Sequence, residues 1–476
     1  MKRIEISDGA TPDHSCVMGQ AAVNHPTEHR RLLIVALIFF IALGVRLLNW
    51  QGSHNEVSAV QTKVALNYKH LAALIRANGL SSLYKASSPT SDPDLLGHPP
   101  GYPILLSFIY RVAPDSDTAT QLLQMGLDSL SVVIIVLIAF ELFPAAVGVI
   151  AGLLAALAPQ FSWNSILLLP DSIAALPILL AVLLITRTRR RTNAPIDRSS
   201  LVSILAAGAL IGVSCWLRAN SLLLAPFLAL SFLFIRKRGA RLRPALILVC
   251  GALLTIGPLT IRNMIVYGKF IPVSLGAGQT LIEGIADYNT DGSLGLPQTD
   301  MELIHGEAET SHRPDYANSL FTPDGIERDR ARLARGFAVI RAHPIWFMGV
   351  MARRAASMLR LERTPLRLAA TGSASWQRLF QWPLRLVQKL FITAIFLPLT
   401  LIGAATLVYR RQFQTLAIVL VVPCYYFFTQ SALHTEYRYV LVIHYFLFVL
   451  DAVAIYSIAC KVLRKFTKPL VPLIHD

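Results

Sequence analysis

Apolar residues in this chain come in long runs, and the charged residues between them gather at the run ends. A helix needs about 20 mostly apolar residues to cross a bilayer. The runs predict about ten spanning helices, at residues 32–48, 121–143, 145–159, 171–187, 201–217, 221–235, 244–261, 390–409, 414–432 and 439–460. Those at 145–159 and 171–187 are short. The first run follows Arg30 and Arg31, starts late and is followed by no small-residue cleavage site. It reads as a signal anchor and not as a cleaved leader.

Two stretches break the pattern. Residues 49–120 and 262–389 are too long for turns between neighbouring helices. Within the first, Val60, Val64, Leu71, Leu74 and Ile75 recur at helical spacing between polar residues, which predicts a helix lying along the membrane surface. Residues 102–113 form a further apolar stretch too short to span. The two stretches are therefore expected to fold into a cap over one end of an all-α bundle.

Charge orients the bundle. Lys and Arg concentrate on the cytoplasmic side of short loops. With residues 1–31 as a cytoplasmic tail, the inner loops carry Arg187, Arg189, Arg190, Arg191 and Arg198, then Arg236, Lys237, Arg238, Arg241 and Arg243, then Arg410 and Arg411. Residues 461–476 form a second basic tail. The loops 49–120 and 262–389 then lie outside, with the transmembrane domain spanning 32–460. The arginines of the second loop, from Arg328 to Arg367, read either as a basic helix on anionic headgroups or as a docking surface for an anionic lipid substrate.

Composition fits this picture. Of 476 residues, 54% are hydrophobic and 15% charged, against roughly 25% charged in soluble domains. The mean hydropathy is +0.53. A net charge of +16 would suit nucleic acid, but its placement at span ends follows the membrane rule, so no nucleic-acid partner is expected. The five cysteines show no ligand spacing, and no phosphate-binding glycine loop or metal-protease signature is present. Neither a metal nor a nucleotide cofactor is expected.

Chemistry-bearing residues cluster at the predicted outer face. Glu56 follows the first span and suits a general base; it also reads as an acid at a helix start capped by Ser53 or Asn55. The segment Asp92-Pro93-Asp94-Leu95-Leu96-Gly97-His98-Pro99-Pro100-Gly101-Tyr102-Pro103 is fixed by its prolines. It carries two acids and a histidine, and reads as a site or as a turn launching 102–113. Asp171 opens a span after Pro170, as a helix-start signal or a functional acid. Arg218, with Asn220, and Arg262, with Asn263, place cations at outer span ends. There they serve a phosphate or reach for headgroups. Arg438 and Tyr439, just before the last span, suit a phosphate and an aromatic belt. Lys85 is a further cation on the first loop, and Asp451 is an acid inside the last span.

Taken in order, the acid after the first span, the Gly97-His98-Pro99-Pro100-Gly101-Tyr102-Pro103 run, Trp216-Leu217-Arg218-Ala219-Asn220, Arg262-Asn263, Ala342-His343-Pro344 and Arg438-Tyr439 resemble the GT-C membrane glycosyltransferases. The likeness is to family 39, with protein O-mannosyltransferases, lipid A aminoarabinose transferases and rhizobial galacturonosyl transferases. It implies a sugar donor on a polyprenyl phosphate and a lipid, glycan or protein acceptor, with inverting transfer at the periplasmic face of a bacterial inner membrane. It implies a first-loop acid as base, here Glu56, Asp92 or Asp94, because the usual Asp-Glu pair appears as Asn55-Glu56. Asp171 matches a later family acid. Arg438 matches the donor-phosphate arginine, with Arg218, Arg262 and Lys85 as further phosphate ligands. His98, Tyr102 and Tyr439 are the expected substrate contacts. A lipid transporter would place charges deep in several spans, and a scaffold would need no acid–arginine cluster.

Overall fold

The computed structural model describes residues 27–57, 62–189, 197–235, 240–361 and 375–467, with the side chains of 54–57, 375–378 and 464–467 outside the description. Among them there is no strand. The helices run α1 (Glu28–Val57), α2 (Thr62–Asn78), α3 (Gly101–Val112), α4 (Asp117–Leu142), α5 (Ala145–Leu157), α6 (Pro159–Asn164), α7 (Asp171–Thr188), α8 (Arg198–Leu217), α9 (Leu224–Ala229), α10 (Phe232–Ile235) and α11 (Leu242–Tyr267). They continue with α12 (Ala277–Ala286), α13 (Asp300–Thr310), α14 (Gly325–Ala342), α15 (Pro344–Met358), α16 (Ser375–Gln388), α17 (Thr393–Tyr409), α18 (Phe413–Thr429) and α19 (Leu441–Thr467).

The span count differs from the ten expected. Seven helices of the described residues are long and apolar enough to cross a membrane, and a pair bent by 60°, within α16 and α17, raises this to eight. The runs at 145–159 and 221–235 form only shorter apolar helices. Pro144 and Pro159 bound α5, and a proline cannot continue an α-helix from its interior. The second run lies in a 219–235 stretch broken between α9 and α10. The first span is longer than expected: α1 runs unbroken through Val57. Ser53 and Asn55 therefore do not cap a new helix, and Glu56 lies in the last turn of α1.

Packing follows small residues. A Cβ on Gly208 would meet the Leu248 carbonyl oxygen at 2.0 Å, and one on Gly251 the Leu205 oxygen at 2.2 Å. Glycine thus lets α8 and α11 touch backbone to backbone, the usual device where lipid removes the hydrophobic drive between helices. Deep in the bundle, Arg46 donates to Asp128 at 2.6 Å, and Tyr445 donates to the other carboxylate oxygen at 2.9 Å. Arg46 and Asp128 are 0% and 2% exposed. This pair joins α1, α4 and α19 and neutralises both charges, which alone would be prohibitive in the bundle interior.

The cap forms as expected. The first loop forms a helix at the expected spacing, α2, and the 102–113 stretch is α3. Gly101 sits against the end of α8, where a Cβ would meet the Trp216 carbonyl oxygen at 2.4 Å. The second loop supplies α12 to α15, with Glu307 gripped by Arg328 and Arg332 at 2.7 and 2.6 Å. These two arginines are buried and tie the cap internally. Asp94 joins the two loops by accepting from the Ser319 and Thr322 hydroxyls.

Candidate functional site

Four chain segments meet beneath the cap. Asp171 is in the first turn of α7, where a carboxylate favours the helix dipole. Arg218 follows the last turn of α8 in extended conformation. Arg438 and Tyr439 lie in a short 3-10 turn that leads into α19. His98 and Tyr102 come from the proline-rich segment before α3.

Arg218 pairs with Asp171 at 2.9 Å, and Arg438 approaches the same carboxylate at 3.8 Å. Glu436 takes Arg438 in a two-bond fork of 2.7 and 2.9 Å. Burial pushes the Glu436 carboxyl up, but its bonds to Arg438 outweigh that and hold it below the usual range. Both guanidiniums stack on one ring: Arg218 lies 4.2 Å and Arg438 4.9 Å from the centre of Tyr439. Asn220 fixes that turn by donating to the Tyr439 carbonyl. One guanidinium nitrogen of Arg438, Nη1, has no hydrogen-bond partner, and neither has Asp171 Oδ2; both atoms are buried. Arg438 is 6% exposed. A small pocket adjoins them, lined by Asp171, Arg218, Asn220, Tyr426, Arg438 and Tyr439 above an apolar floor.

His98 belongs to this cluster. Its ring lies 5.1 Å from that of Tyr68, which meets Tyr102 edge to face. Burial, then Arg218 and Arg438, lower the His98 pKa to about 4. The imidazole is therefore neutral at physiological pH. Tyr68 on α2 faces the same charges, and burial pushes its phenol up. Sequence reading passed over Tyr68, although it continues the Val64–Leu71 helical face.

The other expected residues are elsewhere. Asp92 accepts from the Asp94 backbone N–H and caps a 3-10 turn. Asp94 is the tether between the loops. Lys85 is exposed and pairs with no described acid; its carbonyl accepts from Ser88 and Ser91. Arg262 is 5% exposed and donates to the Leu83 and Thr90 carbonyls and to Asn263. Its donors thus hold the first loop on α11. Tyr102 gives its hydroxyl to Gln124. Asp451 is bonded to Thr400 inside the bundle. The side chain of Glu56 lies outside the described residues. Among the described residues no group of three or more His, Cys, Asp or Glu side chains converges.

The cap reaches the site through His434. Its ring bonds Asp287 at 2.9 Å, and its backbone N–H donates to Thr280. The hydrogen bond to Asp287 raises the His434 pKa, while burial and Asp300 raise Glu283 to about 8. Groups raised in the folded state stabilise it fully below their unfolded pKa, near pH 4.5 for Glu283 and 6.5 for His434. That stabilisation is lost as pH rises through the folded values. Protection of α12 amides, corrected for intrinsic exchange, is therefore expected to fall between about pH 5 and about pH 8. Glu283→Gln should flatten the profile; hydrogen exchange measures both.

Comparison with known proteins agrees with this architecture. Residues 97–261 match the family model of dolichyl-phosphate-mannose-protein mannosyltransferases. The archaeal oligosaccharyltransferase AglB from Archaeoglobus fulgidus, solved with an inhibitory peptide and a dolichol-phosphate, superposes with a TM-score of 0.53 at 16% identity. The match covers 92% of this chain and 51% of that one. The apo form of the same oligosaccharyltransferase gives 0.54, 16%, 92% and 52%. ArnT from Cupriavidus metallidurans bound to undecaprenyl phosphate gives 0.37 at 14% identity, covering 91% and 79%. The chain thus spans about half the length of the oligosaccharyltransferase. No curated protein matches it by sequence. The capped bundle and the matched segment agree with the resemblance read from the motifs: the chain shares the fold of the oligosaccharyltransferase AglB, and its residues 97–261 are similar to the mannosyltransferase family.

Proposed function

We propose that the protein is an inverting membrane glycosyltransferase. It moves a sugar from a polyprenyl phosphate to an acceptor hydroxyl at the periplasmic face of a bacterial inner membrane. The observation that carries this reading is the pair of guanidiniums, Arg218 and Arg438, on the Tyr439 ring at the capped ends of the spans. The bound phosphate of AglB and the mannosyl phosphate named by the matching family support a lipid-phosphate donor.

The acceptor oxygen attacks the anomeric carbon, and the bond from that carbon to the phosphate oxygen breaks. Its electron pair leaves on the phosphate, and the acceptor proton passes to a carboxylate. A phosphodiester thus becomes a monoester carrying one further negative charge. Fixed cations that meet charge as it develops lower the barrier. The Nη1 of Arg438, which makes no hydrogen bond, is placed for that charge, and Asp171 holds Arg218 beside it. We assign the base to Glu56, at the end of α1. Asp92 caps a turn of the first loop, Asp94 ties the two loops together, and Asp171 is paired with Arg218 and Arg438. His98, neutral and half-buried, is a hydrogen-bonding contact for donor or acceptor.

The test is transfer by purified protein in vesicles, given radiolabelled polyprenyl-phosphate sugars and membrane-extract acceptors. Sugar on an acceptor with equimolar polyprenyl phosphate released is the expected result. Lipid scrambling without sugar release would replace this reading with a transporter.

A further inference from the structure

Behind the charged cluster, α4 carries two glutamines one turn apart, Gln121 and Gln124, which are 4% and 0% exposed. Each bonds in both directions. Gln121 accepts from Trp50 Nε1 at 2.8 Å and donates to the Ile166 carbonyl at 2.9 Å. Gln124 accepts from the Tyr102 hydroxyl at 2.5 Å and donates to the Leu167 carbonyl at 2.6 Å, with Ser165 at 3.4 Å. Chemistry fixes these directions, because an indole N–H only donates and a carbonyl only accepts. No other uncharged side chain of this length supplies both functions.

The five partners belong to three segments. Trp50 is on the last part of α1, whose final turn carries Glu56. Tyr102 anchors the His98 segment. Residues 165–167 lie in the link between α6 and α7, which delivers Asp171. Within that link the backbone forms no regular helix; the Leu167 carbonyl also accepts from the Leu169 N–H, while those of Ser165 and Ile166 are met by the glutamine amides. Gln121 and Gln124 thus hold three chemistry-bearing segments against one rigid helix.

We propose that Gln121 and Gln124 are positioning residues, fixing the end of α1, the His98 segment and the start of α7 in register for reaction. The inference rests on the glycosyltransfer reading. Neither side chain touches the reacting atoms. Catalysis is steep in position: a shift near 1 Å costs on the order of a hundredfold. Gln124→Glu keeps the shape and the bond from Tyr102 but cannot donate to the 165–167 carbonyls. Tyr102→Phe removes only the hydroxyl.

The experiment measures kcat and donor KM in reconstituted full-length protein for Gln124→Glu, Gln121→Glu, Tyr102→Phe and the Tyr102→Phe/Gln124→Glu pair. Thermal unfolding is followed alongside. Expected is a fall in kcat of roughly ten- to a hundredfold with donor KM near wild type. The double variant should lose much less than the product of its single losses, because both act through one network. Tyr102→Phe is the milder variant and keeps the test open should a glutamate fail to fold. Wild-type kcat with a lowered melting temperature would make the ladder a stability brace and overturn the inference, leaving the transferase reading intact. Multiplicative losses, or a rise in KM alone, would overturn it too. A wild type that transfers no sugar from any donor would overturn both.

Discussion

Arg438→Gln is expected to lower kcat by roughly a hundred- to a thousandfold, the usual scale for one donor aimed at developing charge. Three features argue for so large an effect. The guanidinium is 6% exposed, so water does not screen it. Glu436 holds it by two bonds and Tyr439 by its ring, so little reorganisation is needed as the phosphate leaves. Its Nη1 has no hydrogen-bond partner and faces Asp171 Oδ2 at 3.8 Å. Arg218 does not replace it, because Arg218 is already paired with Asp171 at 2.9 Å. Arg438→Lys keeps the charge but not the planar fork; it should recover only part of the loss. Donor KM should change less than kcat, since the leaving phosphate gains its extra charge only as the bond breaks. The check is steady-state kinetics on variants shown to be folded by thermal unfolding. Wild-type turnover in Arg438→Gln would remove Arg438 from the mechanism.

The positions of these residues were unequally legible from the sequence. Apolar runs locate spans because a bilayer admits few alternatives. They overcounted spans where prolines shorten a helix, as at α5. Arg218 stood out because a cation at an expected outer span end runs against the charge bias, and Arg438 because it stands beside Tyr439 just before the last span. Arg262 carried the same signal, yet it is spent on backbone carbonyls of the first loop. A cation at a span end therefore does not reveal whether its partner is a ligand or an unpaired carbonyl; only the path of the intervening loop decides. Gln121 and Gln124 gave a weaker signal still. Two amides in an apolar run look like tolerated interruptions until the 165–167 link is seen to need them. Tyr68 was hidden for the opposite reason, since at its spacing an aromatic passes for core.

Separating the two remaining acids calls for paired substitutions. Glu56→Gln should reduce kcat by roughly a hundred- to ten-thousandfold, the range for loss of a general base, with donor KM nearly unchanged. Asp171→Asn should act differently. Formally, Arg218 and Arg438 are balanced by Asp171 and Glu436, and His98 is neutral. Removing the Asp171 charge leaves one net positive charge in a site where Asp171 and Arg438 are 3% and 6% exposed. Polyprenyl phosphate should then bind more tightly and leave more slowly. Arg218, freed from its 2.9 Å partner, should lose its fixed position on the Tyr439 ring, and kcat should fall through geometry and product release. Kinetics distinguish the two: a single-turnover burst followed by slow release marks Asp171→Asn, whereas Glu56→Gln slows the burst itself. The pH profile adds a second axis. The acidic limb of kcat should vanish in Glu56→Gln and persist in Asp171→Asn, with no contribution from His98 above about pH 5, because its pKa is held at about 4. A fast burst in Glu56→Gln with loss of the burst in Asp171→Asn would transfer the base assignment to the carboxylate at the start of α7, and Arg218 would then serve to hold that base in place and not only to meet the phosphate.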